Sequence, residues 1–155
     1  MTPNYPERTE AQALVELALV LVALCSLVIS AFDFGQVVNV YLVTVHATRE
    51  AARVASVAGT TVPAVQAAAQ NAAADSIASG ALTVTCQAAT FDASQGSYTP
   101  SGACASPLAA DTSFAITVRT TVSPVLPFAG LLFGSTTIGP LPVSYTLLGI
   151  VEPNS

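Results

Sequence analysis

Charge is scarce in this sequence. Lys, Arg, Asp and Glu make up 8% of its 155 residues, against about 25% in an ordinary soluble domain. Lysine is absent altogether: the basic residues are Arg8, Arg49, Arg53 and Arg119, set against nine acidic ones for a formal net charge of −5. A nucleic-acid footprint is thereby excluded, and phosphate binding is disfavoured. Histidine occurs once, as His46, so no His-based metal cluster can form and no Ser-His-Asp constellation can be nominated. There is no CxxC, no HExxH and no glycine-rich phosphate loop. These absences set catalysis aside and imply no metal and no cofactor.

What is abundant is apolar. Hydrophobic residues reach 52% and the mean hydropathy is +0.65, so part of the chain is expected to lie out of water. They concentrate in Gln12–Phe32, QALVELALVLVALCSLVISAF, a stretch that meets the roughly 20 mostly apolar residues a bilayer span needs. From Ala13 to Phe32 the only ionisable group other than the Cys25 thiol is Glu16. A charge in hydrocarbon costs about 2.5–3.5 kcal/mol at a helix centre, less near the start, where the positive end of the helix dipole helps. Such a carboxylate calls for a partner. Thr9 and Gln12 have the spacing of a capping box, with Thr9 capping the helix and Gln12 reaching back. A cleavable secretory signal is the competing reading, but the run is long, no A-x-A site follows and the pattern continues as helix, which favours a retained anchor. Asp33 and Gly35 read as a solvated boundary with a flexible glycine.

The residues Ala11–Val20, AQALVELALV, followed by Phe32-Asp33-Phe34-Gly35, resemble the start of TadE-like pilins of tight-adherence (Tad) systems, within the type IV pilin superfamily. The resemblance implies cleavage by a membrane prepilin peptidase after a small residue, leaving Glu as the fifth residue of the mature chain. Counting back from Glu16 puts the cut between Ala11 and Gln12, with Ala11 standing where Gly is usual. It also implies that Glu16 neutralises the freed amine of a neighbouring subunit. The expected partners are other pilin subunits, the Tad assembly machinery, the peptidase and membrane lipid. The implied location is the inner membrane, N-terminus cytoplasmic and head outside, then a surface pilus. Arginines flank the span on both sides, so orientation rests on the resemblance and not on charge.

Beyond the span, Val37, Val38, Tyr41, Leu42 and Val45 are spaced for one helix face, with Asn39, His46, Arg49, Glu50 and Arg53 as polar positions. A helix from Gln12 to Ala58 would measure about 70 Å at 1.5 Å per residue, with Gly59 offering a stop. Ala47, Ala51, Ala55 and Gly59 form a ridge of small side chains suited to close packing. A second, alanine-rich helix starts around Pro63 and runs to Gly80. Leu82, Val84 and Cys86 alternate as a strand, a polar loop covers about Ala88 to Thr112, and Phe114 to Val122 is a second strand.

Phe128–Gly134 is a short apolar run between prolines whose Gly130 and Gly134 mimic a membrane dimer motif but read better as a turn. Its Phe128, Leu131, Leu132 and Phe133 are assigned to the core. In the tail, Gly139, Pro140 and Pro142 make the first part an edge strand or a bulged one, and Tyr145, Leu147 and Val151 complete a small antiparallel sheet. Cys86 and Cys104, both in the region expected to be exported, are positioned to form a disulfide across the flexible loop between them.

The fold class is therefore α+β. A leader (1–11) precedes a long helix (12–59, spanning the membrane over 12–32) and an extracytoplasmic head (60–155) that carries a short helix and a small antiparallel sheet. A structural pilus subunit, a minor pilin, is the favoured function. A membrane-anchored binding module that never polymerises is the alternative, and an enzyme the least favoured.

Overall fold

The computed structural model describes residues 7–77, 81–122 and 140–153. Two helices, α1 (Glu7–Ala55) and α2 (Val62–Ala73), precede four strands: β1 (Thr83–Asp92), β2 (Ser97–Ala103), β3 (Ser113–Val122) and β4 (Leu141–Ile150). The strands form one antiparallel sheet in the order β2-β1-β3-β4, so the fold is α+β. The expectations for Phe128–Gly134, for a helix end at Gly80 and for most of the leader lie outside the described residues. Two compact units part between Gln36 and Val37. The first is the N-terminal part of α1, and the second, the head, holds every described residue from Val37 on.

Small side chains decide how the head packs. Ala47, Ala51 and Ala55 of α1 are completely buried, in one core cluster with Val65, Ala69 and Ala73 of α2 and with Phe114, Ile116 and Val118 of β3. Alanines four apart on both helices let backbones approach closely, the condition for ridge-into-groove packing. Of the residues spaced for one face, Val37 and Val45 are half-buried, whereas Val38, Tyr41 and Leu42 remain 39–59% exposed. Thr44 and Thr48 take part in the true inner face because their hydroxyls donate to the carbonyls of Val40 and Thr44, at 2.8 and 2.7 Å, which removes the cost of burying them.

α1 stops at Ala55, short of the anticipated Gly59. The Ser56 carbonyl instead accepts the N–H of Glu152 at 2.7 Å, and Val57 forms a parallel bridge with Glu152. Gly59 then turns the chain at φ +83°, a conformation that favours glycine. Its N–H donates to Leu108 at 2.9 Å, and Leu108 N–H returns to Thr60 at 2.8 Å. α2 has Pro63 in its first turn, as expected, but closes at Ala73. Its first N–H, from Val62, is satisfied by Ser106 Oγ at 3.3 Å.

β3 is the centre of the sheet. Phe114, Ile116, Val118, Thr120 and Val122 are buried on the face shared with the core cluster, and Ala115 and Thr117 are buried on the other. Each fully buried apolar side chain here contributes about 1.5–3 kcal/mol relative to exposure. Thr117 tolerates its position through hydroxyl contacts: Thr85 Oγ1 donates to its carbonyl at 3.2 Å and its own Oγ1 lies 2.8 Å from Thr146 Oγ1. Thr120 Oγ1, by contrast, is buried with no hydrogen-bond partner among the described residues. β4 is an edge strand, where Pro142 is admissible. Its Tyr145 meets Tyr41 of α1 edge to face, ring centres 6.4 Å apart.

About half of the expected loop from Ala88 to Thr112 is sheet. β1 continues past a bulge at Ala88/Ala89 to Asp92, and β2 returns antiparallel with Phe91 opposite Tyr98. Turn chemistry makes this possible. Gly96 adopts φ +62°, and the Asp92 carboxylate accepts hydrogen bonds from Ser94 Oγ at 2.6 Å and Ser94 N at 2.9 Å.

Two expectations follow. Gly149 lies against the ring of Phe114, and a Cβ there would sit 2.5 Å from Phe114 Cζ, an atom of a side chain only 1% exposed. Gly149→Ala should lower stability by about 1–3 kcal/mol, seen as a lower denaturation midpoint of the full chain in detergent. The Ser94 hydroxyl first, and then the Ser94 and Gln95 N–H groups, hold the Asp92 carboxyl below the usual aspartate range. A depressed folded-state pKa stabilises at neutral pH and loses that effect as pH falls through the carboxylate range. An NMR titration should find Asp92 below an ordinary aspartate, and Ser94→Ala should move its midpoint up.

Candidate functional site

The N-terminal unit is a helix with apolar surface on every side. Leu14, Leu17, Leu21, Leu24, Val28 and Phe32 are 57–67% exposed. Its serines do not break the pattern, because Ser26 and Ser30 donate to the carbonyls of Ala23 and Ser26 at 2.7 and 2.8 Å, which satisfies them without water. Cys25 is exposed as a free thiol. Among the described residues α1 is the one helix long and apolar enough to cross a membrane.

Glu16 is exposed on this surface, and Gln12 Nε2 donates to its Oε1 at 3.2 Å. That contact replaces the expected capping box. The helix begins at Glu7, which places Thr9 inside it, so Gln12 reaches forward one turn and not back. Ala11 and Gln12 are the fifth and sixth residues of α1, so the bond between them is helical in the full-length chain. Asp33 is buried, at 6% exposure, and not the solvated boundary anticipated. Gly35 is exposed, as are His46 and Arg49 in the head.

The family model for TadE-like protein matches residues 11–53. The N-terminal helix is TadE-like. No curated protein and no solved structure matches the chain. The TadE-like segment contains Ala11, Gln12 and Glu16, and it also contains Ala47 and Ala51 of the buried ridge. Ala55, Gly59 and both distal cysteines lie beyond it. The ridge of Ala47, Ala51 and Ala55 packs within the chain's own core, whereas Gly59 is exposed past the end of α1. Within the TadE-like segment, Glu50 and Arg53 pair on the surface one turn apart, with Arg53 Nη2 2.6 Å from Glu50 Oε1. The hydrogen bond from Arg53 holds the Glu50 carboxyl below its ordinary range. Among the described residues no three His, Cys, Asp or Glu side chains converge to hold a metal ion.

In the head, Cys86 and Cys104 form a disulfide, Cα to Cα 5.5 Å across 18 residues of sequence. It joins β1 to the chain just beyond β2, where Cys104 N–H also donates to Cys86 O at 3.3 Å. The link matters because β2 is exposed at all seven of its residues and buries nothing that would hold it. Closing a loop of this size stabilises by about 3 kcal/mol in the chain-entropy model. Replacing both cysteines with alanine should cost about that much. Hydrogen exchange should then rise in β2 and the adjoining half of β1, with β3 and β4 still protected.

Proposed function

We propose that this chain is a structural subunit of a bacterial surface pilus, a TadE-like minor pilin anchored in the inner membrane before assembly through its N-terminal helix. The observation that carries the reading is Glu16: the one carboxylate between Ala13 and Phe32, exposed among apolar side chains inside the segment matched by the TadE-like family. A prepilin peptidase cuts between Ala11 and Gln12, after local unwinding of the first turns of α1, where helices fray most easily. The Gln12 amine so released on one subunit is neutralised by Glu16 of its neighbour. Desolvated together, the two charges attract far more strongly than in water and set the axial register between subunits. The head faces the extracytoplasmic side, a compartment that agrees with its disulfide. It contributes to pilus biogenesis and adhesion by packing and contact, not by catalysis.

The test compares native chain, Glu16→Gln and Glu16→Ala in the native host. Intact mass should show loss of the first eleven residues in all three, so that processing defects are separated from assembly defects. Both variants should insert in the membrane at least as well as native. Their ratio of filament-associated to membrane-associated protein should fall, because an uncompensated buried amine costs several kcal/mol. Gln keeps the size and hydrogen bonding of Glu, so a loss with Gln assigns the effect to charge. Equal ratios in correctly processed variants would overturn the charge pair, and native chain found only in membranes would favour an anchored binding module that does not polymerise.

A further inference from the structure

The apolar surface of α1 does not end where a span of ordinary length would. Gln12–Phe32 already supplies the roughly 20 residues that hydrocarbon requires, yet exposed apolar side chains continue past it, first Phe34 and then, in the head, Val38, Tyr41 and Leu42. The last three stand at i, i+3 and i+4 and so share one face of the helix. Charge does not interrupt them. Between Glu16 and His46 the helix carries a single charged residue, Asp33, and it is buried, so the first exposed charge beyond the run is Arg49. Tyr145 of β4 adds to the same face, half-buried with its ring edge-on to that of Tyr41. An apolar face left open on a folded head marks a contact surface.

We propose, on the footing of the membrane anchor, that Val38, Tyr41, Leu42 and Tyr145 rest in the head-group region of the bilayer that α1 crosses, so that the partner of this face is lipid. Continuity with the span selects the occupant. Ala13 to Leu42 is 30 residues, about 45 Å of helix at 1.5 Å per residue. That is longer than the roughly 30 Å of hydrocarbon and close to the ~40–45 Å of a bilayer with its head-groups. Tyr41 and Tyr145 then fall at the level where tyrosine is enriched, ring against the acyl boundary and hydroxyl toward water. His46 and Arg49, one and two turns beyond Leu42, fall in water. A protein partner would cover the same apolar face, but it gives no reason for the face to run on from the span without an exposed charge. Burial of Asp33 removes the one group that would set the boundary earlier. The anchored head is thus held against the membrane surface, and a subunit that leaves for a filament exchanges lipid for protein on this face.

The chain contains no tryptophan, so a single introduced one reports on its own surroundings. The full chain is reconstituted at low density in phosphatidylcholine vesicles whose acyl chains carry bromine, a quencher, either near the head-group or near the tail. Leu42→Trp and Tyr41→Trp report on the proposed face, Leu24→Trp on the span, and Tyr98→Trp on β2. Emission of Leu42→Trp and Tyr41→Trp should shift to the blue on reconstitution and lose intensity to the shallow bromines more than to the deep ones. Leu24→Trp should lose more to the deep bromines, and Tyr98→Trp should lose to neither while iodide in the water quenches it. If Leu24→Trp is quenched by lipid but Leu42→Trp and Tyr41→Trp behave as Tyr98→Trp does, the proposal is overturned and the anchor stands. No lipid quenching of Leu24→Trp would overturn the anchor and the proposal with it. A blue shift at Leu42→Trp without bromine quenching would mean that protein and not lipid covers the face, which also overturns the proposal.

Discussion

Close approach of backbone to backbone along Ala47, Ala51 and Ala55 is the contact on which the head depends. Larger side chains at those positions would hold α1 away from the cluster that α2 and β3 complete. The neighbouring Thr44 and Thr48 can be buried only because each hydroxyl is returned to the helix's own backbone. The C-terminal end of the chain is drawn into the same arrangement: Val151 is completely buried, and Glu152 N–H satisfies the Ser56 carbonyl that α1 leaves open. Residues nearly one hundred positions apart thus close one core.

The sheet is held unevenly. β3 is buried on both faces and needs no further support, while β2 buries nothing and relies on its ladder with β1, the Asp92–Ser94 turn and the Cys86–Cys104 link. A covalent staple placed beside the least buried strand adds stability where packing adds least. At the opposite edge β4 is held by packing, with Gly149 giving way to the Phe114 ring and Tyr145 meeting Tyr41.

The N-terminal part of α1 obeys different physics. Its apolar side chains are largely exposed, and among its polar ones Ser26 and Ser30 bond back to the helix while Glu16 stands out. An environment that suits leucine on every side penalises a lone carboxylate. Glu16 therefore draws attention as chemistry and not as packing.

Composition and periodicity by themselves determined the class of this protein. A run of apolar residues with one interior carboxylate specifies a helix long and apolar enough to cross a membrane, proline marks the start of the second helix, and alternation marks β3 and β4, because in these places a local pattern is enough. Ala47, Ala51 and Ala55 of the small-residue ridge, though not Gly59, and the cysteine pair were legible as well. Only the tertiary structure decided which face of α1 turns inward. Alanine and threonine are small, and they win because they permit close packing, while the larger Tyr41 and Leu42 stay outside. Only the fold decided that Ala88–Ala103 is a hairpin, since a strand exposed at every residue leaves no alternation to read, and its place comes from pairing with β1 and a disulfide. Asp33 is the remaining case. Sequence position put it at a boundary with water, but burial depends on what else the chain brings to that spot, which no local pattern encodes.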